Sequence, residues 1–227
     1  MTASTAIPEN QYSGKAGNDA ADTAYHVALN LILRGEVKGG EWLREESLAQ
    51  LSGVSRTPVR QAINRLSTEG VVSLSRNKGA QVVSLTDGET KDLLSLRSKF
   101  EPYAAGLAVE HLSSEDLGVL AEAHEQMSEQ VRDGAVDPIR MGQLNNDFHA
   151  VFIHRCGSTY LTTAVQSLVM PALVARTYGR YSPEALHRSM RHHQELLEAA
   201  TAGDSEWVES AMRTHILAAR HALRPEG

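Results

Sequence analysis

The sequence predicts a mainly α-helical protein in two parts: a small N-terminal head with one β-hairpin, and a C-terminal antiparallel bundle made of helices alone. Three observations carry this. Apolar residues recur at helical spacing through most of the 227 residues. Alternating β-branched runs occur once, over residues 71–85. Aromatics make up 5% of the chain against a hydrophobic fraction of 41%, which suits packing of Leu, Ala and Val helices better than a β-sandwich.

Residues 1–19 are polar and turn-rich without periodicity and are expected to be a disordered tail. From Ala20, the positions Tyr25, Leu29 and Ile32 or Leu33 make a first amphipathic helix that stops near Gly35. A second helix covers 45–51 and ends at Gly53, a residue that tolerates the left-handed conformation past a helix end. A third covers 55–69, with Ser55 at its N-cap and Pro58 in its first turn. Its apolar stripe is Val59, Ile63 and Leu66. Ser55, Arg56, Thr57 and Arg60 gather at the start of that helix, where backbone N–H groups and the helix dipole already favour an anion. Helix, tight Gly turn and a helix with a basic, hydroxyl-rich start is the layout of a helix-turn-helix, whose second helix enters the major groove. An ordinary helical hairpin with a solvated basic face would read similarly. The hairpin at 71–85, tipped by Arg76 and Lys78, favours a winged helix-turn-helix over residues 20–85.

The net charge of −6 is unevenly spread. Residues 55–80 hold five Lys/Arg against one Glu, and residues 86–227 hold 13 Lys/Arg against 20 Asp/Glu. An acidic second domain leaves phosphate binding to the basic head. The single cysteine, Cys156, excludes an internal disulfide and fits a cytoplasmic protein. No apolar run is long enough to span a bilayer, so no membrane partner is expected.

From Thr86, whose spacing to Glu89 is that of a capping box, no convincing strand occurs. Helices are expected at 87–111, 114–133, 137–155, 158–180, 183–202 and 204–223, with Pro102 and Pro171 kinking or breaking theirs. Six helices joined by short loops make an antiparallel bundle over 86–227. Within it, Asn145 and His149 are i, i+4 on one helix face, and His193 and His215 lie 22 residues apart on the last two helices. Three imidazoles and one oxygen donor converging in a bundle would make a transition-metal site with an open position. The remaining histidines (His26, His111, His124, His154, His187, His192 and His221) are assigned to surface or satisfied core positions.

The head resembles the DNA-binding domain of the GntR superfamily of bacterial transcription regulators. The resemblance is carried by Glu46-Ser47-Leu48-Ala49, the run from Gly53 to Arg60, Arg65-Leu66, Glu69-Gly70 and Gly79-Ala80. It implies a dimeric regulator that binds a double-stranded DNA operator, with Ser55, Arg56, Thr57, Arg60 and wing Gly79 in contact. The basic residue that relatives carry at the start of the preceding helix is Glu46 here, and Arg44 stands nearby as its substitute. The second part resembles the FCD group of that superfamily, through Leu96-Arg97, Phe100-Glu101 and Ala104-Ala105, the run Asn145 to His149, Cys156-Gly157-Ser158, His193 to Leu197 with Ala202-Gly203-Asp204, and Met212-Arg213 with His215-Ile216. It implies a metal held by His149, His193 and His215, with Asn145 where relatives usually carry Asp. The ion expected is divalent, zinc ahead of nickel or another transition metal.

Arg97 takes the place of an effector-facing arginine in relatives, suited to bidentate carboxylate recognition. Its alternative is a salt bridge to Glu101 at i+4. Arg176 and Tyr178 are further effector-binding candidates. The expected function is a homodimeric transcription regulator, a repressor, that senses a small organic acid in a metal-containing helical domain. A metal-ion sensor and a helical-bundle metalloenzyme are the alternatives. The enzyme is disfavoured by the lack of H-E-x-x-H, of G-x-S-x-G and of a phosphate-cradling Gly loop.

Overall fold

A computed structural model of the chain describes residues 19–75 and 79–222. The expected tail, apart from Asp19, and the wing residues Arg76 and Lys78 lie outside the described residues. The chain divides into two compact units, Met1–Ser84 and Leu85–Gly227.

The first unit holds α1 (Asp19–Leu33), β1 (Trp42–Leu43), α2 (Glu45–Ser52), α3 (Arg56–Thr68), β2 (Val72–Ser75) and β3 (Gly79–Val82). Helix α1 lays Ala24, Tyr25, Ala28 and Leu29 against Val59, Ala62, Ile63 and Leu66 of α3, the helical stripe read from the sequence. Leu48 and Leu66 are fully buried, which contributes about 1.5–3 kcal/mol each. Gly53 closes α2 at φ 69°, in the left-handed region. Ser55 occupies the N-cap of α3, but its side chain makes no capping hydrogen bond. The far end of α3 is tied down instead. Glu69 accepts from Tyr25 Oη at 2.7 Å and from Arg65 Nε at 3.0 Å, and Arg65 donates to Asp22 while lying 3.9 Å over the Tyr25 ring.

The expected hairpin pairs as β2 and β3, and a third strand, β1, extends it into an antiparallel sheet in the order β1-β3-β2. The extra strand has only two residues, Trp42 and Leu43, paired with Gln81 and Ala80. Two residues are too few to show an alternating pattern, so only the pairing reveals them.

The second unit holds seven α-helices among the described residues: α4 (Asp87–Ala108), α5 (Ser114–Asp133), α6 (Pro138–Arg155), α7 (Thr159–Leu168), α8 (Pro171–Tyr178), α9 (Pro183–Ala202) and α10 (Ser205–Ala222), with a 3-10 turn at Val109–His111. The capping box of Thr86 and Glu89 opens α4, and a second one, Ser113 with Asp116, opens α5. The helical segment 158–180, expected to kink or break at Pro171, is two helices. Met170, before Pro171, is extended at φ −116° and ψ 104°, as the proline ring demands of its predecessor.

Pro102, in contrast, does not break α4. Its missing N–H orphans the Ser98 carbonyl one turn back, and Arg213 Nη1 of α10 donates to that carbonyl at 3.4 Å. The core packs α4 along α10, α6 against α5 and α8, and α9 against α5 and α10. Its largest fully buried side chains include Phe148, Phe152, Leu120, Met127 and Leu196. Gly142 of α6 lets α8 come close: a Cβ there would stand 3.1 Å from the Ala175 Cα and nitrogen. This approach brings Tyr178 of α8 to Asn145, one turn further along α6.

Candidate functional site

The DNA-facing candidates gather at one end of the first unit. Arg56 and Arg60 start α3 with side chains 68% and 66% exposed, Thr57 is exposed beside them, and Arg44 is exposed at the N-cap of α2. The Ser55 hydroxyl is exposed and makes no capping hydrogen bond. Gly79 opens β3 opposite Ser75, at the end of the ladder farthest from Val72 and Val82, with φ 93°. Arg65, counted among the basic residues of this stretch, is committed to Asp22 and Glu69. Arg56 and Arg60 each meet a glutamate from the first turn of α2, Glu46 and Glu45 respectively.

In the second unit His149 of α6, His193 of α9 and His215 of α10 converge. One ring nitrogen from each lies within 4.8 Å of the others, and all three side chains are buried. Ring centroids stand 4.5 Å apart for His193 and His215, and 5.1 Å apart for His149 and His215. Burial, then the neighbouring imidazoles, hold the His193 and His215 pKa values well below the ordinary range, so both rings are neutral near pH 7. Neutral imidazole is the form that ligates a metal.

A buried polar atom without a partner costs about 1–3 kcal/mol. Here His149 Nε2, His215 Nδ1 and both ring nitrogens of His193 have no hydrogen-bond partner among the described residues. The Ser189 carbonyl favours a proton on His193 but falls short of a hydrogen bond. Three converging imidazoles, each able to offer one bare nitrogen, are a donor set that suits a divalent metal ion. Such an ion, when bound, would supply a Lewis-acidic position for water or a carboxylate.

The sequence reading considered Glu101 only as a salt-bridge partner of Arg97; it is fully buried on α4. One of its oxygens faces His149 Nδ1 at 3.0 Å and the other pairs with Arg97 Nε. Accepting from Nδ1–H fixes the His149 tautomer and leaves Nε2 bare towards the other imidazoles. The signal was present as Arg97 and Glu101 at i, i+4, but only the fold shows that the carboxylate faces His149 on the far side.

Asn145 is buried, and its Oδ1 accepts from Tyr178 Oη at 2.9 Å. A carbonyl oxygen has a second lone pair, which remains for a cation. Arg97, Asn145, Tyr178 and His215 line one cavity of about 30 Å³, together with Thr177 and Tyr181. That volume holds an ion with a water or two. Burial raises the Tyr178 and Tyr181 pKa values, Tyr181 to about 12, so both hydroxyls stay protonated. Arg97 pairs with Glu101 and also lines the cavity. Arg176 does not line the cavity. Helix α8 turns Val174, Thr177 and Tyr178 inward, and Arg176, two positions before Tyr178, falls on the opposite face.

Comparison with known proteins agrees with this division. The bacterial regulatory proteins of the gntR family match residues 20–82, and the FCD domain matches residues 92–218. The chain is 31% identical over 158 residues to the Nta operon transcriptional regulator of Aminobacter aminovorans, covering 70% of this chain and 74% of that one. It is 28% identical to the HTH-type transcriptional repressor GlaR of Escherichia coli, over 85% of this chain and 90% of that one. The structure of Escherichia coli McbR/YncC has the same fold, with a TM-score of 0.66 and 24% identity over 87% of this chain and 93% of that one. These relatives regulate transcription and are not enzymes. The chain belongs to the GntR family of DNA-binding transcription regulators, with an FCD domain behind its winged helix-turn-helix.

Proposed function

We propose that this regulator is a homodimeric repressor that senses a small organic acid at a metal centre in its helical unit. The observation that carries the reading is the buried cluster of His149, His193 and His215 with its orphaned nitrogens, of which His215 lines a cavity together with Arg97 and Asn145. Asn145 would complete the ligand set, and Arg97 would meet the carboxylate of the acid. Because the cavity is only about 30 Å³, an acid enters by displacing its walls, α4, α8 or α10. Helix α4 begins at Asp87, just after the end of the first unit in the chain, and is the element of the helical unit that would carry a displacement toward the DNA-binding head. The acid acts only through its different affinity for the two arrangements, typically about 1–3 kcal/mol of coupling.

Dimerisation is supported by a partly exposed apolar stripe on α4: Leu96, Phe100, Tyr103 and Leu107, at i, i+4, i+7 and i+11. A helical stripe of this kind is self-complementary across a two-fold axis. Repression is supported by relatives such as GlaR, which is a repressor. The small cavity also favours a second reading, in which the metal ion itself is the signal.

The test is DNA binding by the metal-stripped and zinc-loaded chain, with and without a panel of small carboxylates, on a duplex that the protein selects from a randomised pool. The expected result is an acid response only in the zinc-loaded form. The variant carrying His149→Ala and His193→Ala should lose both metal and response while its basal DNA binding persists. A switch driven by zinc with no acid present selects the second reading. Full metal content in the double variant rejects both.

A further inference from the structure

Two carboxylates at the start of α2 meet the two arginines at the start of α3. Glu45 Oε2 accepts from Arg60 Nε at 2.9 Å, and Glu46 Oε1 lies 3.5 Å from Arg56 Nη2. An acidic first turn suits the dipole of a helix whose N-cap residue, Arg44, makes no capping bond. That explains two acids in this turn. It does not explain why each pairs with a different arginine of the next helix. Exposed ion pairs contribute about 1 kcal/mol or less to stability, so the pairs matter little for folding. Their consequence lies in what the arginines do when DNA arrives.

The two pairs differ. Donation through Nε takes up the side edge of the Arg60 guanidinium and leaves Nη1 and Nη2 without a partner among the described residues. Those two groups form the end-on fork that matches O6 and N7 of guanine. The Glu45 side chain is 36% exposed, and holding Arg60 in place reduces the side-chain entropy lost on binding. Glu46 is 85% exposed and its contact with Arg56 is looser. A backbone phosphate approaching Arg56 has to displace this carboxylate and then tolerate its charge nearby.

We propose that Glu45 is a positioning residue that presents Arg60 to a guanine edge in the major groove, and that Glu46 is a resident counter-anion on Arg56 that weakens binding to all DNA sequences alike. The proposal rests on the start of α3 being the DNA-contacting face.

The experiment measures anisotropy with the full chain on two duplexes: one selected by the wild-type protein from a randomised pool, and one of the same composition with scrambled order. Glu45→Gln should lower the ratio of selected to scrambled affinity about tenfold with an unchanged thermal midpoint, and Glu45→Asp should restore part of it. Glu46→Gln should tighten both duplexes by the same factor and leave their ratio alone. A wild-type ratio in Glu45→Gln overturns the positioning role. So does equal weakening on both duplexes with a fallen thermal midpoint, which is the signature of a helix-stabilising acid. Unchanged affinities in Glu46→Gln overturn the counter-anion. Arg60→Ala separates the levels. If it loses the selected duplex while Glu45→Gln does not, only the proposal fails; if it binds like the wild type, the reading of this face fails with it.

Discussion

Replacing Glu101 with Gln tests the candidate metal centre through a residue that would touch no metal. Burial alone would raise the Glu101 pKa, but Arg97 and His149 outweigh it and hold the carboxyl down to about 2. Measured from an ordinary 4.5, the gap of about 2.5 units at roughly 1.4 kcal/mol each is on the order of 3 kcal/mol. A folded-state pKa below the unfolded one gives stability that is present above about 4.5 and is lost as pH falls toward about 2. Glu101→Gln keeps the shape and an acceptor but leaves Arg97 a buried cation without its anion, a loss of about 3–5 kcal/mol in comparable pairs. The metal-free variant should therefore unfold about 3 kcal/mol more easily at neutral pH, and the gap to wild type should close as pH drops below about 4.5. Without the carboxylate to orient His149, zinc affinity should fall about 10–100-fold. Urea denaturation over a pH series and chelator-competition titration measure the two effects. A stability change under about 1 kcal/mol together with unchanged zinc affinity would refute the account of Glu101.

Three further outcomes are expected. Because burial keeps the folded His193 and His215 pKa values low, the unfolded chain takes up protons first, so the metal-free protein should lose stability as pH falls below about 6.5; a denaturation midpoint that does not move between neutral and mildly acid pH contradicts this. Arg56→Ala and Arg60→Ala should each weaken operator binding by about 1–3 kcal/mol, and unchanged gel-shift affinity in the combined variant removes the start of α3 from the interface. Phe100→Glu with Tyr103→Glu should turn a sedimenting dimer into a monomer, whereas a wild-type monomer, or a variant that stays dimeric, rejects the α4 stripe as the contact.

What could be read from the sequence alone was local. The helices formed where apolar residues recur at helical spacing, and Thr86 with Glu89 capped α4 because all four residues of that motif are neighbours in the chain. Asn145 and His149 shared a face for the same reason, since one helical turn fixes their relation whatever packs outside it. The tertiary structure decided whatever depended on a partner far along the chain. Pro102 stays inside an unbroken helix because Arg213, more than a hundred residues later, donates to the carbonyl that the proline orphans. At Pro171, where the sequence already allowed a break, the residue before the proline goes extended and the segment divides into α7 and α8. The two-residue strand at Trp42 exists only through its pairing with Gln81 and Ala80. Arg176 looked as suitable as Tyr178 for the cavity until the packing of α8 fixed which face turns inward. Glu101 could be read as a salt-bridge partner of Arg97, but its contact with His149 needed α4 to pack on α6. Periodicity and capping act within a turn or two of helix, whereas the surroundings of a buried charge are set by which helices meet.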